Sequence, residues 1–315
     1  MRVERSMAAM VAAAWIATAV GSATAADPRP QTPVAVATPA PAMTNSTASS
    51  TALSAADVAA WLDGLLTYGL KNGDIAGAVV AVVKDGQVLF QSGYGYADVA
   101  EKTPMDAERA MVRIGSTSKL FTWTAVMQLV EQGKLDLHRN VDDYLDFKVS
   151  PSGGTPITLL DLMNHRAGFE EGLKDLISTD PRTSQSTETY LKEHPRPLLF
   201  APGTVPAYSN YGTALAGYIV QRVSGEPFER YVDQHIFLPL GMTHSTLEVP
   251  LPERFKDRVA RGYRTASSSP QPFELVSTRP AGSVTTTAAD MTRFMLAQAA
   301  TMLSMVCARR SSISS

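Results

Sequence analysis

Ser116-Thr117-Ser118-Lys119 and, far downstream, Tyr208-Ser209-Asn210 bring together the residue types of an acyl-transfer site, and each motif occurs once. A serine hydroxyl is a poor nucleophile until a base takes its proton. Lys119 follows Ser116 by three positions, so on a helix both side chains project from one face. At a buried helix start, desolvation and the helix dipole disfavour an ammonium, which would leave Lys119 partly neutral and able to accept that proton. A positive neighbour would favour the Tyr208 phenolate, so Tyr208 and Lys119 are expected to share the proton. Asn210 both donates and accepts, which suits a substrate amide. The Ser116 backbone N–H, at a helix N-terminus, would serve as one oxyanion donor. A single Ser-x-x-Lys arises by chance about once per few hundred residues at average usage. Tyr208 alone reads equally well as a ring at the core edge, and Asn210 as a turn former. The pairing carries more weight, because Ser116 opens an apolar helix and Tyr208 follows the turn-forming loop Pro202-Gly203-Thr204.

Those residues need a scaffold, and the chain has the material for one. Its 315 residues, 44% hydrophobic and 18% charged, suit one large core or two modest ones in a soluble body. A net charge of −2 argues against electrostatic capture of nucleic acid or of an anionic membrane. Small-molecule or peptide substrates remain as partners, and composition is silent on oligomeric state. The five histidines show no metal-ligand spacing, and no Gly-x-Ser-x-Gly elbow occurs, so neither a metal site nor an α/β-hydrolase nucleophile is expected.

Residues 1–25 have the makings of a secretory signal: Arg2 and Arg5, the apolar stretch Met7 to Val20, and the small residues Ala23 and Ala25. Export to a periplasm or to the medium follows, with no other membrane association. Cys307 is the only cysteine, so an internal disulfide is excluded. Residues 26–53, carrying Pro28, Pro30, Pro33, Pro39 and Pro41 among Ala, Thr and Ser, read as a disordered linker.

Ser54 and Asp57 form a capping-box pattern, with Leu53 set to staple onto Val58. Val58, Trp61, Leu62, Leu65 and Leu66 then mark one buried helix face. Gly77 to Val83 and Val88 to Tyr96 read as strands of a hairpin joined by an Asp85-Gly86 turn. Ser116 to Glu131 is apolar nearly all round, which places it inside a domain, and Gly133 ends it. Further helices are expected at Leu159–Asn164, Tyr211–Ser224, Phe228–Ile236 and Ala288–Ala299. Strands and helices are segregated along the chain, which predicts an α+β fold with an antiparallel sheet flanked by helices and an adjoining all-helical region.

At this density of motifs the chain resembles the serine β-lactamase-related proteins of the class C type. That group takes in class C β-lactamases, low-molecular-weight penicillin-binding proteins, D-aminopeptidases and related esterases. Ile114 to Thr122 is similar to the nucleophile segment, and Gln132-Gly133-Lys134-Leu135-Asp136-Leu137 to the turn after it. Ile157 to Gly168 matches a mid-domain stretch, and Phe200 to Thr204 leads to the second motif at Tyr208-Ser209-Asn210-Tyr211-Gly212. Pro239-Leu240-Gly241-Met242 and Pro280-Ala281-Gly282, running on to Asp290-Met291, complete the likeness. The resemblance implies a β-lactamase/transpeptidase-like fold, Ser116 as the acylated nucleophile, Lys119 and Tyr208 as the proton-handling pair, Asn210 as the substrate-amide ligand, and no metal or other cofactor. The activity it implies is acyl-enzyme hydrolysis of an amide or ester: a β-lactam, a D-Ala peptide or a simple ester. His165, ahead of a turn glycine, reads as structural.

One expected element is missing. Such proteins continue into further sheet strands carrying a Lys/His-x-Gly motif that faces the tyrosine and gives the second oxyanion donor, and nothing between Asp290 and Ser315 matches it. The reading is therefore an incomplete domain over residues 54–300, its C-terminal strands missing, and an atypical disordered tail over 301–315. Loss of one oxyanion donor costs about 10²–10³ in rate, so the alternative is an inactive relic or binding module of the same family.

Overall fold

The computed structural model describes residues 52–313 apart from Leu173, with side chains described as far as residue 300. The signal and linker readings for residues 1–51 lie outside the described residues. The capping box is formed: the Asp57 N–H donates to Ser54 Oγ at 3.2 Å, and the Ser54 N–H donates to Asp57 Oδ2 at 3.1 Å. Two N–H groups at the helix start are thereby satisfied, and α1 (Ala55–Asn72) follows. Its buried face is narrower than the sequence implies. Val58 and Leu62 are buried, but Trp61 is 66% exposed, Leu65 48% and Leu53 52%. The helix rests on the hairpin, which covers only the stripe turned towards it.

The hairpin pairs β1 (Gly77–Lys84) with β2 (Gln87–Asp98) in antiparallel register from Lys84↔Gln87 to Gly77↔Gly95, with an irregularity at Val82/Val83. Asp85 and Gly86 both take positive φ, +52° and +73°. That is the two-residue turn whose twist suits the strands it joins. β3 (Thr103–Pro104) adds to β2, giving the order β1-β2-β3. Among the described residues no strand lies on the far side of β1.

The remaining strands are short: β4 (Val112–Arg113), β5 (Ile177–Ser178), β6 (Gly262–Tyr263), β7 (Pro270–Gln271), β8 (Leu275–Val276) and β9 (Thr285–Thr286). They form the antiparallel pairs β4–β9, β5–β8 and β6–β7. The helices after α1 are α2 (Lys119–Glu131), α3 (Leu159–Met163), α4 (Thr187–Glu193), α5 (Asn210–Ser224), α6 (Phe228–Val232), α7 (Arg279–Gly282) and α8 (Ala288–Ile313). The core lies around α2 and α5, which pack together. Phe121 of α2 is fully buried, its ring 5.1 Å from that of Phe237 and 4.4 Å from that of Phe294. Every residue of α5 from Tyr211 to Val220 is buried, as expected of a helix at the centre of a domain. α8 lies against β1 and β2.

Three helix ends differ from the sequence reading. A 3₁₀ turn, Gly115–Ser118, precedes α2 where a continuous helix was expected from Ser116; Gly115, at φ +52°, turns the chain out of β4 into it. α6 stops at Val232 and widens into a π turn, Asp233–Phe237. α8 runs to Ile313, past the end expected at Ala299. Residues 301–313 contain neither glycine nor proline and do contain Met, Leu, Ala and Arg, so local propensity allows the helix to continue. Among the described residues no helix is long and apolar enough to cross a membrane.

Candidate active site

The two serines of the first motif are sorted by their surroundings. Ser118 is fully buried, and its Oγ accepts the Val284 N–H at 3.0 Å, while the Ile114 N–H donates to Val284 O at 3.1 Å. Ser118 thus ties the turn to the strand pair β4–β9. Ser116 is exposed, and its N–H falls in the first turn, where backbone donors have no partner within the helix.

Folding brings all four sequence-predicted residues together. Ser116 Oγ lies 2.6 Å from the Tyr208 hydroxyl, and Lys119 Nζ donates to Ser116 Oγ at 3.2 Å. Lys119 Nζ also donates to Asn210 Oδ1 and to the Ala281 carbonyl, each at 2.8 Å. The amine sits 4.7 Å from the centre of the Tyr208 ring.

Different elements fix each partner. Ser209 caps α5, its Oγ accepting the Gly212 N–H at 3.0 Å, so Asn210 begins that helix and Tyr208 stands just before it. His165, at φ +53°, follows α3 and accepts the Ser209 N–H on Nδ1 at 3.2 Å; its ring lies 4.5 Å from that of Tyr208. That bond puts the neutral imidazole's proton on Nε2. Burial, with Lys119 adding to it, pushes the His165 pKa down to about 4, so the ring is neutral at physiological pH and acts as a support.

α7 supplies Ala281, and the Pro280 carbonyl beside it accepts from Thr122 Oγ1 at 2.7 Å. Gly217 on α5 makes room for that segment: a Cβ there would stand 2.5 Å from Pro280 Cβ. Gly217→Ala is therefore expected to cost about 1–3 kcal/mol by overpacking, measured as a lowered urea midpoint at unchanged slope.

The electrostatics select the base. Lys119 is only 5% exposed. Desolvation pushes its pKa down to about 8, against an opposing pull from the Glu171 charge. Tyr208 shifts the other way: burial raises its pKa, Glu171 adds to the rise, and the bond to Ser116 only offsets them. The sequence reading that a positive neighbour would favour the phenolate is thus corrected, because desolvation of the ring outweighs it. A free Lys119 amine has two N–H groups and one lone pair. Asn210 Oδ1 and Ala281 O can only accept, so they take the two N–H groups and the lone pair faces Ser116 Oγ–H.

Asn210 is anchored at both ends of its amide. Its Oδ1 is engaged by Lys119, and its Nδ2 donates to Glu171 Oε1 at 2.8 Å, so both ends of the amide serve protein partners. The Asn210 backbone N–H donates to Glu171 Oε2, also at 2.8 Å. Sequence reasoning missed both Glu171 and the Ala281 carbonyl. Pro280-Ala281-Gly282 was part of the resemblance without a role, and nothing distinguishes Glu171 from the adjacent, exposed Glu170. Among the described residues no group of three or more His, Cys, Asp or Glu side chains is placed to hold a metal ion.

Comparison with known proteins gives this geometry a lineage. The chain is 29% identical over 216 residues to Protein flp of Staphylococcus aureus strain MW2, covering 66% of this chain and 42% of that protein. It is 32% identical over 199 residues to N-acetylmuramyl-L-alanine amidase of Bacillus subtilis, covering 58% of this chain and 44% of that one. The chain thus spans less than half the length of these curated relatives. Among solved structures, the octameric penicillin-binding protein homologue from Pyrococcus abyssi superposes with a TM-score of 0.63 at 27% identity, over 75% of this chain and 55% of that one. A class C β-lactamase superposes with a TM-score of 0.65 at 24% identity, over 75% and 63% of the two chains, a likeness of fold. The expected β-lactamase/transpeptidase-like α+β fold is therefore present, and residues 58–311 match the family model described as Beta-lactamase. The chain belongs to the Beta-lactamase family.

Proposed function

We propose that this chain is an exported serine hydrolase that acts through an acyl-enzyme on an amide or ester, with Ser116 as nucleophile, Lys119 as base and Tyr208 as proton relay. The observation that carries the reading is Ser116 Oγ held at 2.6 Å from the Tyr208 hydroxyl and 3.2 Å from a desolvated Lys119 amine. As Oγ attacks the substrate carbonyl carbon, its proton moves to the Lys119 lone pair and the carbonyl π electrons move to oxygen. The Ser116 N–H is available to that oxyanion. Collapse breaks the bond to the leaving amine or alkoxide, which takes a proton from Lys119 directly or through Tyr208. Water then repeats the sequence on the acyl-serine. The likeness to the Bacillus amidase supports chemistry on an amide bond. β-Lactam, D-Ala peptide and simple ester remain the substrate classes of the reading, and the signal-like residues 1–25 support export.

The test is a fluorophosphonate probe with peptide mapping of the adduct. Modification of Ser116 is expected, and a folded protein that takes up no probe overturns the reading. The alternative reading is a non-catalytic binding module of the same family. The same probe separates the two.

The pH dependence follows from Lys119. With its pKa near 8, roughly a tenth of the amine is free at pH 7. Protons compete with Ser116 for the lone pair, so reactivity is lost as pH falls. The labelling rate is expected to rise about tenfold per unit below pH 8 and to level off above it. A rate constant flat from pH 6 to 9 would remove Lys119 from the base role.

A further inference from the structure

Asn210 sits between a cation-forming amine and a carboxylate, and its amide is useful in one orientation only. With Oδ1 towards Lys119, the free amine keeps its lone pair for Ser116. Rotated by half a turn, the amide would present Nδ2 to Nζ. The amine would then turn its lone pair to that donor, and Ser116 would lose its proton acceptor.

Glu171 lies on the loop after α3 and is half-buried. It accepts from Asn210 twice, Oε1 from the side-chain Nδ2 and Oε2 from the backbone N–H, both at 2.8 Å. A carboxylate only accepts, so it admits Nδ2 and refuses Oδ1. The backbone bond anchors the carboxylate to the first residue of α5, where negative charge is favoured by the helix dipole.

We infer that Glu171 is a positioning residue, locking the Asn210 amide so that its oxygen faces the Lys119 amine and the amine's lone pair faces Ser116. The inference rests on the acyl-enzyme reading above. It adds a residue that touches neither the nucleophile nor the reacting atoms. Glu171 carries a second consequence through its charge, which stabilises the Lys119 ammonium. The other groups facing Lys119 are the Ser116 and Tyr208 hydroxyls, the Ala281 carbonyl and the His165 ring, neutral at the pH of interest. Glu171 is thus the one carboxylate acting on the amine among them.

The test is Glu171→Gln. Glutamine offers one acceptor and one NH₂, so it meets one of the two Asn210 donors and sets an NH₂ against the other. Two readouts separate positioning from a merely structural role. The first is the fluorophosphonate labelling rate against pH. Its plateau is expected to fall about tenfold as the amide orientation scatters, and its acid midpoint to move down by up to about one unit as the carboxylate charge is lost. The second is the Lys119 titration itself, followed by NMR in protein carrying ε-¹³C-lysine, with its resonance assigned by loss in Lys119→Met. Its midpoint should move down in Glu171→Gln whether or not the protein turns over any substrate. Glu171→Asp keeps the charge but shortens the reach, so it should lower the plateau and leave the midpoint near that of the parent, and it stands in if the glutamine variant does not fold. Parent protein that labels at Ser116, with Glu171→Gln folded and unchanged in plateau, midpoint and Lys119 titration, overturns the positioning role and leaves the hydrolase reading intact. Parent protein that fails to label overturns the hydrolase reading, and the NMR midpoint alone then decides whether Glu171 acts on Lys119.

Discussion

Ser116→Ala is expected to abolish covalent labelling and to lower turnover of any acyl substrate to background. In serine hydrolases whose nucleophile and base act as a unit, that loss is about 10⁶ in turnover. The neighbouring serine cannot take over, because Ser118 is fully buried and its oxygen is committed to the Val284 N–H. The substitution should spare the fold. The Ser116 hydroxyl is exposed, so its removal leaves Tyr208 and Lys119 with their other partners, and stability should change by no more than about 0.5 kcal/mol. Intact-mass analysis after probe treatment, beside a thermal melt, checks both halves. An adduct of equal yield on the alanine variant would move the nucleophile elsewhere.

Lys119→Met carries the second large effect. Methionine fills a similar volume and removes the proton acceptor, so acylation should slow by about 10³-fold, within the range assigned to general bases. Because no lone pair remains, the pH profile should also flatten around 8. The stability effect has its own sign. The folded pKa, about 8, lies below the ordinary lysine value of 10.5. Between those two values the unfolded chain holds the proton and the folded chain does not, so this group makes stability rise with pH across that window. Below pH 8 the buried ammonium costs on the order of 3 kcal/mol. Methionine removes that cost but leaves Ala281 O without its side-chain donor, at about 1–3 kcal/mol, and Asn210 Oδ1 with only the long bond from the Tyr208 hydroxyl at 3.5 Å. The slope of stability between pH 8 and 10 should therefore disappear, whatever the net change. Urea titrations at several pH values measure it, and an unchanged slope would place the amine in a solvated setting.

Where local chemistry decided the outcome, the sequence could be read directly. The Ser54–Asp57 box, the Asp85-Gly86 turn and the apolar helix after Ser116 all formed as their residues dictate. So did the meeting of Ser116, Lys119, Tyr208 and Asn210, which periodicity alone would not give and which the family likeness supplied. What escaped depended on three-dimensional surroundings. Trp61 and Leu65 have the right spacing for a buried face, but among the described residues the hairpin on which α1 rests leaves them exposed. The direction of the Tyr208 shift turned on how far its ring is desolvated, which no motif states. Glu171 and the Ala281 carbonyl escaped because one is a second glutamate in a pair and the other is backbone. The extension of α8 to Ile313 escaped because the expected end at Ala299 carries no stop: residues 301–313 contain neither glycine nor proline.

The contrast between an open serine and a sealed amine has a consequence for traffic rather than for binding. The three bonds from Nζ end on protein oxygens, and of those partners it is the serine, with the phenol beside it, that is exposed. The serine and the phenol therefore offer a proton on the amine a direct path to bulk water. A phosphonate cap on the serine should therefore act as a stopper, slowing exchange of the amine's hydrogens with deuterated solvent while the rest of the fold exchanges as before.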